Sequence, residues 1–113
     1  MDRTTKAQLI GRSHEARSRK FHGVDIDVLV AGSEAMVTKM KFKKGDQTPS
    51  HSHPNIQSGY VLSGRIRLRT HDTDETLVAG DSYSIPAGVE HGLEMLEAGE
   101  AIDVFVPARD DFL

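Results

Sequence analysis

The sequence contains no cysteine, and that one absence removes disulfides, thiolate metal sites and cysteine nucleophiles together. Any metal must be held by nitrogen and oxygen. Long apolar runs are missing too: nothing approaches the roughly 18 to 20 consecutive apolar residues needed to span a bilayer, and the N-terminus lacks the apolar stretch of a secretory signal. A cytoplasmic protein with no membrane partner is the expectation. Nor is there a surplus of positive charge. The 14 basic and 17 acidic residues leave a formal charge of -3 spread along the chain, so no domain-wide field exists to hold a phosphate backbone, and nucleic acid is not an expected partner. The pattern shows no long helix, no internal repeat and no low-complexity tract.

What is present fits one small folded domain. A chain of 113 residues is too short to split into two cores that each bury enough apolar surface. Residues 1–22, rich in Arg and Ser, read as a polar tail available to pair as an edge strand on a partner. Residues 23–113 break into short alternating segments separated by Gly, Pro, Asn, Asp and Ser, the pattern of an all-β sandwich or barrel. In Ala35 to Phe42, the residues Met36, Thr38, Met40 and Phe42 share one face, with Lys39 and Lys41 on the other. Arg65, Arg67 and Arg69 alternate with Ile66 and Leu68 and read as a solvated basic stripe. Further strands are expected at Tyr60 to Leu62, Glu75 to Val78, Ser82 to Ile85, Gly92 to Met95 and Ile102 to Val106. Turns are expected at Lys44 to Asp46, Ser63-Gly64, His71 to Asp74, Ala79 to Asp81, Pro86 to Gly88 and Ala98-Gly99.

The histidines carry the chemistry. His51 and His53 are two apart, so on an extended chain both imidazoles point to one side and can converge on one ion. Pro49 and Pro54 stiffen the segment around them. A carboxamide follows at Gln57, and a third imidazole at His91, just after the turn Pro86-Ala87-Gly88. Three imidazoles and an amide oxygen make a neutral site that can hold one divalent first-row metal and leave positions for water or substrate. His14, His22 and His71 have no partners at ligand spacing and read as solvated.

Gly45, five residues, His51-x-His53, three residues, Gln57, six residues, Gly64 resembles the first cupin motif; Gly80, five residues, Pro86-x-Gly88, two residues, His91 resembles the second. The resemblance implies a double-stranded β-helix, or jelly-roll barrel, of a single domain, with His51, His53, Gln57 and His91 around a nickel, zinc, iron or manganese ion. Gln57 stands where the family usually has glutamate, and Met95 where it often has asparagine. Each substitution changes the site: the first lowers its negative charge by one without removing a ligand.

In Ile102 to Val106, Asp103 and Phe105 share one strand face. Periodicity leaves open whether that face points into the barrel or into water. From Met36 to Leu113 the chain is similar to the cupins of pectin degradation, chiefly in Ser50 to Pro54, Gln57, Tyr60 to Gly64, Ala79 to Tyr83, Val89 to Gly92 and the tail from Ile102 to Leu113. That resemblance implies opening of 4,5-unsaturated monouronates to linear 5-keto-4-deoxyuronates. Asp103 would carry the proton, Phe105 would wall the pocket, Arg109 would pair with the carboxylate of a sugar acid, and the metal would act as a Lewis acid. For Arg109 a surface ion pair with its acidic neighbours is the competing reading. Two other functions stay open, a metal-dependent dioxygenase and a non-catalytic sugar-sensing cupin. A homodimer is expected, because a small barrel with polar tails covers its edges best with a second copy.

Overall fold

The computed structural model describes residues 8–113, so residues 1–7 of the expected tail lie outside the described part. Among the described residues eight strands follow one another: β1 (Arg17–Phe21), β2 (Val24–Ala31), β3 (Met36–Phe42), β4 (Gln47–His51), β5 (Ile56–Arg69), β6 (Asp74–Val78), β7 (Ser82–Ile85) and β8 (His91–Val106). Single 3-10 turns at Ser13–Glu15 and Asp110–Phe112 are the helical pieces among the described residues. None is long and apolar enough to cross a membrane. Neighbouring strands run in the order β1-β2-β3-β8-β5-β6, with β4 joined to β8 and β7 to β5. Every pairing is antiparallel. The architecture is all-β, as the alternating pattern predicts, and is the jelly roll that the cupin resemblance implies.

Alternation sets what faces inward. On β3 the buried residues are Met36, Thr38, Met40 and Phe42, on β2 Val24, Ile26, Val28 and Ala31, and on β8 His91, Leu93, Met95, Ala101, Asp103 and Phe105. The apolar ones form two clusters. One gathers Met40, Phe42, Val61, Ile66, Leu93 and Met95 with their neighbours, and the other gathers Ile26, Val28, Met36, Phe105 and Phe112. Each fully buried aliphatic or aromatic side chain contributes about 1.5 to 3 kcal/mol. Between the clusters lies a polar band. Following β3, Met36 belongs to one cluster, Thr38 to the band and Met40 to the other; on β8, Phe105, Asp103 and Ala101 sit opposite them in register.

Two expected turns are not turns. Ser63-Gly64 and Ala98-Gly99 lie inside β5 and β8, which run on as single strands of 14 and 16 residues. The pairing between them shifts register at Ser63 and again at Arg65. Gly64 takes a positive φ of 85° there. A Cβ on Gly99 would run into the Ser63 carbonyl, and one on Gly64 would meet the Ala98 carbonyl at 2.7 Å. The two glycines let the strands bend together at a bulge where their backbones touch, instead of reversing direction.

The chain before residue 23 also holds more structure than a tail. Arg17 to Phe21 pairs with Val24 to Val28 of the same chain across a tight turn in which His22 and Gly23 both have positive φ, 50° and 84°. Such a turn matches the twist of a two-residue hairpin. The arginine stripe on β5 points outward but does not rely on solvent alone. Arg65 pairs with Glu97 at 3.2 Å, Arg67 with Asp74 at 2.7 Å, and Arg69 with Glu94 at 3.7 Å. Pairs this exposed add little stability each.

The bend makes a prediction. Gly99→Ala should cost about 2 to 3 kcal/mol of folding free energy by overpacking, read from urea denaturation. A loss under about 0.5 kcal/mol, the range of ordinary surface substitutions, would show that the backbones do not meet there.

Candidate metal centre

β4 ends on His51, the segment after it carries His53, and β8 begins with His91. His51 and His91 are register partners across the β4–β8 pairing, which is how a motif near residue 50 and another near residue 90 reach one point. The rings lie 4.5 Å (His51 to His91), 4.9 Å (His53 to His91) and 5.7 Å (His51 to His53) apart between centroids. One nitrogen from each lies within 4.8 Å of the others, close enough for one small cation to be shared.

Backbone carbonyls decide which nitrogen that is. His51 Nδ1 lies 2.7 Å from the Pro49 carbonyl, His53 Nδ1 3.0 Å from that of Asn55, and His91 Nδ1 2.9 Å from that of Val89. A carbonyl only accepts, so each Nδ1 carries the proton and each Nε2 keeps its lone pair. Burial holds His51 below its ordinary pKa and His91 down at about 4, against the raising effect of those same carbonyls. Burial thus favours the neutral, ligating form of His51 and His91.

Two observations test whether a cation fits. His91 Nε2 is buried and has no hydrogen-bond partner among the described residues, an expensive state for a polar atom unless something binds it. His53 Nε2 faces Gln57 Oε1 at 3.1 Å. The Gln57 amide also bonds to Asp103 and Tyr83, and a carboxylate takes the NH2 end of an amide, which leaves Oε1 towards His53. Two lone pairs then oppose each other, an arrangement that a cation between them relieves. The donor set is neutral and made of nitrogen and amide oxygen, which suits a divalent first-row metal.

Beside the histidines a pocket opens to solvent, lined in part by His51, Gln57, His91, Asp103, Phe105 and Arg109. The structure decides the orientation of Asp103 that periodicity left open: the side chain points inward and is 3% exposed. Burial pushes its carboxyl up to about 6, opposed by bonds from Tyr83 and Gln57 and by the charge of Arg109. Tyr83 donates its hydroxyl to Asp103 Oδ1 at 2.5 Å. Phe105 meets the His53 ring edge-on at 5.7 Å.

Arg109 is not a surface residue. It is 6% exposed, and its guanidinium lies 4.2 Å from the Phe112 ring centroid, 5.1 Å from that of Phe21 and 5.2 Å from that of Phe105. Asp111 takes one edge of the fork, with Nε to Oδ1 at 3.1 Å and Nη2 to Oδ2 at 2.6 Å. Buried Asn55 donates to the Pro107 carbonyl at 2.7 Å, tying the histidine segment to the stretch that leads into Arg109.

Sequence reasoning missed Tyr83, Phe21, Phe112 and Asn55. Tyr83 had a signal, since it shares a strand face with buried Ile85. Phe21 had none, because it reaches the pocket only through the pairing of β1 with β2. His22 is exposed, as expected, though its ring lies 6.4 Å from that of His51.

Comparison with known proteins agrees with this geometry. A family model described as the cupin domain matches residues 38–106. The beta-alanine degradation protein BauB of Pseudomonas aeruginosa is 35% identical over 80 residues, which cover 68% of this chain and 84% of that protein. Among solved structures, an RmlC-like cupin from Shewanella frigidimarina superposes with a TM-score of 0.85 at 30% identity over 95% of this chain and 97% of its own. KdgF from a Halomonas species superposes with a TM-score of 0.82 at 27% identity, over 92% and 99%. With both motifs placed around one pocket and a family match that runs from β3 to the end of β8, the chain belongs to the cupin family.

Proposed function

We propose that this cupin opens the ring of 4,5-unsaturated monouronates, giving linear 5-keto-4-deoxyuronates. The observation that carries the reading is the pocket itself, in which the inward carboxyl of Asp103 and the guanidinium of Arg109 share a wall with the histidine cluster. The resemblance to the cupins of pectin degradation suggests the reaction, and the structural likeness to KdgF supports that reading.

Ring opening moves one proton. The C1 hydroxyl loses its proton as the bond from C1 to the ring oxygen breaks, leaving an aldehyde at C1 and an enolate across C4, C5 and the former ring oxygen. Protonation at C4 then completes the ketone at C5. Asp103 takes the first proton and delivers it to C4, which one carboxyl with a titration range near neutrality can do. Arg109 orients the substrate carboxylate with the part of its fork that Asp111 leaves, and Phe105 and Phe112 hold that guanidinium in place. His51, His53, His91 and Gln57 would hold the divalent ion, which when bound supplies a Lewis acid for the developing enolate charge.

The name of the Pseudomonas relative favours a second reading, in which the pocket takes a smaller carboxylic acid and keeps the same anchor at Arg109. A homodimer completes the proposal: Ile56, Tyr60, Leu62 and Val106 on the outer sheet face are each more than 40% exposed, a patch that a second copy can cover.

Two measurements test these assignments. The parent should carry roughly one divalent ion per chain by elemental analysis, and His51→Ala combined with His53→Ala should abolish it; full occupancy in the double variant would sink the ligand set. Asp103→Asn should keep metal content and Tm while turnover of an unsaturated galacturonate falls about 100-fold or more. The assay follows loss of conjugated-alkene absorbance, corrected for spontaneous opening. Equal rates would remove Asp103 from the reaction. A parent no faster than the uncatalysed rate with any common divalent metal would remove the uronate reading.

A further inference from the structure

We propose that Tyr83 is a positioning residue for Asp103, and that the absence of a side chain at Gly59 is what lets it reach. The role in turnover rests on the uronate reading above; the placement does not.

Strand register fixes how far Tyr83 must reach. Gly59 on β5 is the partner of Tyr83 on β7 and of Asp103 on β8. The three residues form one rung across three adjacent strands, and the rung below it runs Ile85, Gln57, Phe105. Tyr83 and Asp103 are therefore separated by a whole strand, about twice the spacing of neighbours, or roughly 10 Å between backbones. A tyrosine spans that gap only if its ring lies flat over the middle strand. That is where it lies: a Cβ built on Gly59 would collide with Tyr83 Cζ, Cε2 and the hydroxyl oxygen. Any residue with a side chain at 59 would fill the space the tip of the ring now occupies.

The contact it makes is specific. A phenol has one proton to give, and Tyr83 gives it to Asp103 Oδ1. The Gln57 amide is a further partner of the carboxyl. With one oxygen held by Tyr83 from behind, the carboxyl is fixed in rotation, and its remaining lone pairs are offered to the pocket that Asp103 lines and Tyr83 does not. Without the hydroxyl, Asp103 keeps its place on β8 but loses the bond that sets its rotamer. A misplacement of about an ångström at a proton-transferring group costs on the order of 100-fold in rate.

Satisfying a buried carboxyl is also a structural service, so the experiment must separate the two. Tyr83→Phe, Gly59→Ala and the double variant are compared with the parent. Positioning predicts that kcat falls about 10- to 100-fold in each single variant while KM and metal content stay within about two-fold. It also predicts that the double variant is no slower than the slower single one, because both changes remove the same bond. An unchanged kcat in Tyr83→Phe, or losses that multiply in the double variant, would overturn the role. A readout free of substrate checks the placement. The chain has two tyrosines and no tryptophan, so in a Tyr60→Phe background the absorbance near 280 nm and the emission belong to Tyr83. A phenol bonded to a carboxylate absorbs to the red and emits weakly; Asp103→Asn and Gly59→Ala should each shift the band to the blue and raise the emission. Spectra that do not change in either variant would overturn the placement. If they change as expected while the parent fails to open unsaturated uronates, the link between Tyr83 and Asp103 stands and the uronate reading falls.

Discussion

Three hydrogen bonds from imidazole Nδ1 to the backbone carbonyls of Pro49, Asn55 and Val89 govern the rest of the site. Each carbonyl belongs to a residue two positions from its histidine, so the bond is local and costs little chain entropy to form. Together they assign the proton to Nδ1 and aim the Nε2 lone pairs at one another. Lone pairs that face each other without a proton are repulsive, and burial makes the repulsion harder to screen. The fold holds them there regardless, because β4 and β8 are paired at that very register and the two apolar clusters pack above and below. A cation between them would relieve this conflict, and the His91 Nε2, left without a partner among the described residues, is the clearest sign of such a site.

The same logic extends to the polar band. Interrupting a barrel core with Thr38, Gln57 and Asp103 costs apolar burial, and each polar group must then find a partner. Thr38 donates to the Asp103 backbone carbonyl at 3.4 Å, Gln57 spans His53 and Asp103, and Tyr83 reaches Asp103 across Gly59. Arg109 is satisfied differently, by Asp111 on one edge and aromatic rings around its plane. The result is a pocket whose charged groups are held by neighbours outside it, which leaves their free sides for a ligand.

Much of this was legible in the residues. Period-two alternation placed β3 and the inner face of β5, because one buried face is enough to specify a register. The spacing of His51 and His53 foretold that their rings come together, though His53 lies past the end of β4 and not on the strand with His51. Glycine misled at residues 64 and 99: the signal for a reversal of the chain and the signal for a bulge are the same residue, and only the partner strand tells them apart. The inward turn of Asp103 was hidden for a related reason, since Ile102, Val104 and Val106 on the opposite face are as apolar as a core face should be. Phe21 and Phe112 lie far from the motifs in sequence and join the pocket through tertiary contacts with Arg109, His51 and Phe105.

The central claim is that backbone carbonyls set three Nε2 atoms towards a common metal, and nitrogen chemical shifts report this most directly. Long-range proton–nitrogen correlation spectra of the metal-free protein should show His51, His53 and His91 as neutral Nδ1–H tautomers. One equivalent of zinc should then shift three Nε2 resonances together, leaving His14, His22 and His71 in place. Any of the three found as the Nε2–H tautomer before zinc, or ligation through Nδ1 after it, would contradict the account.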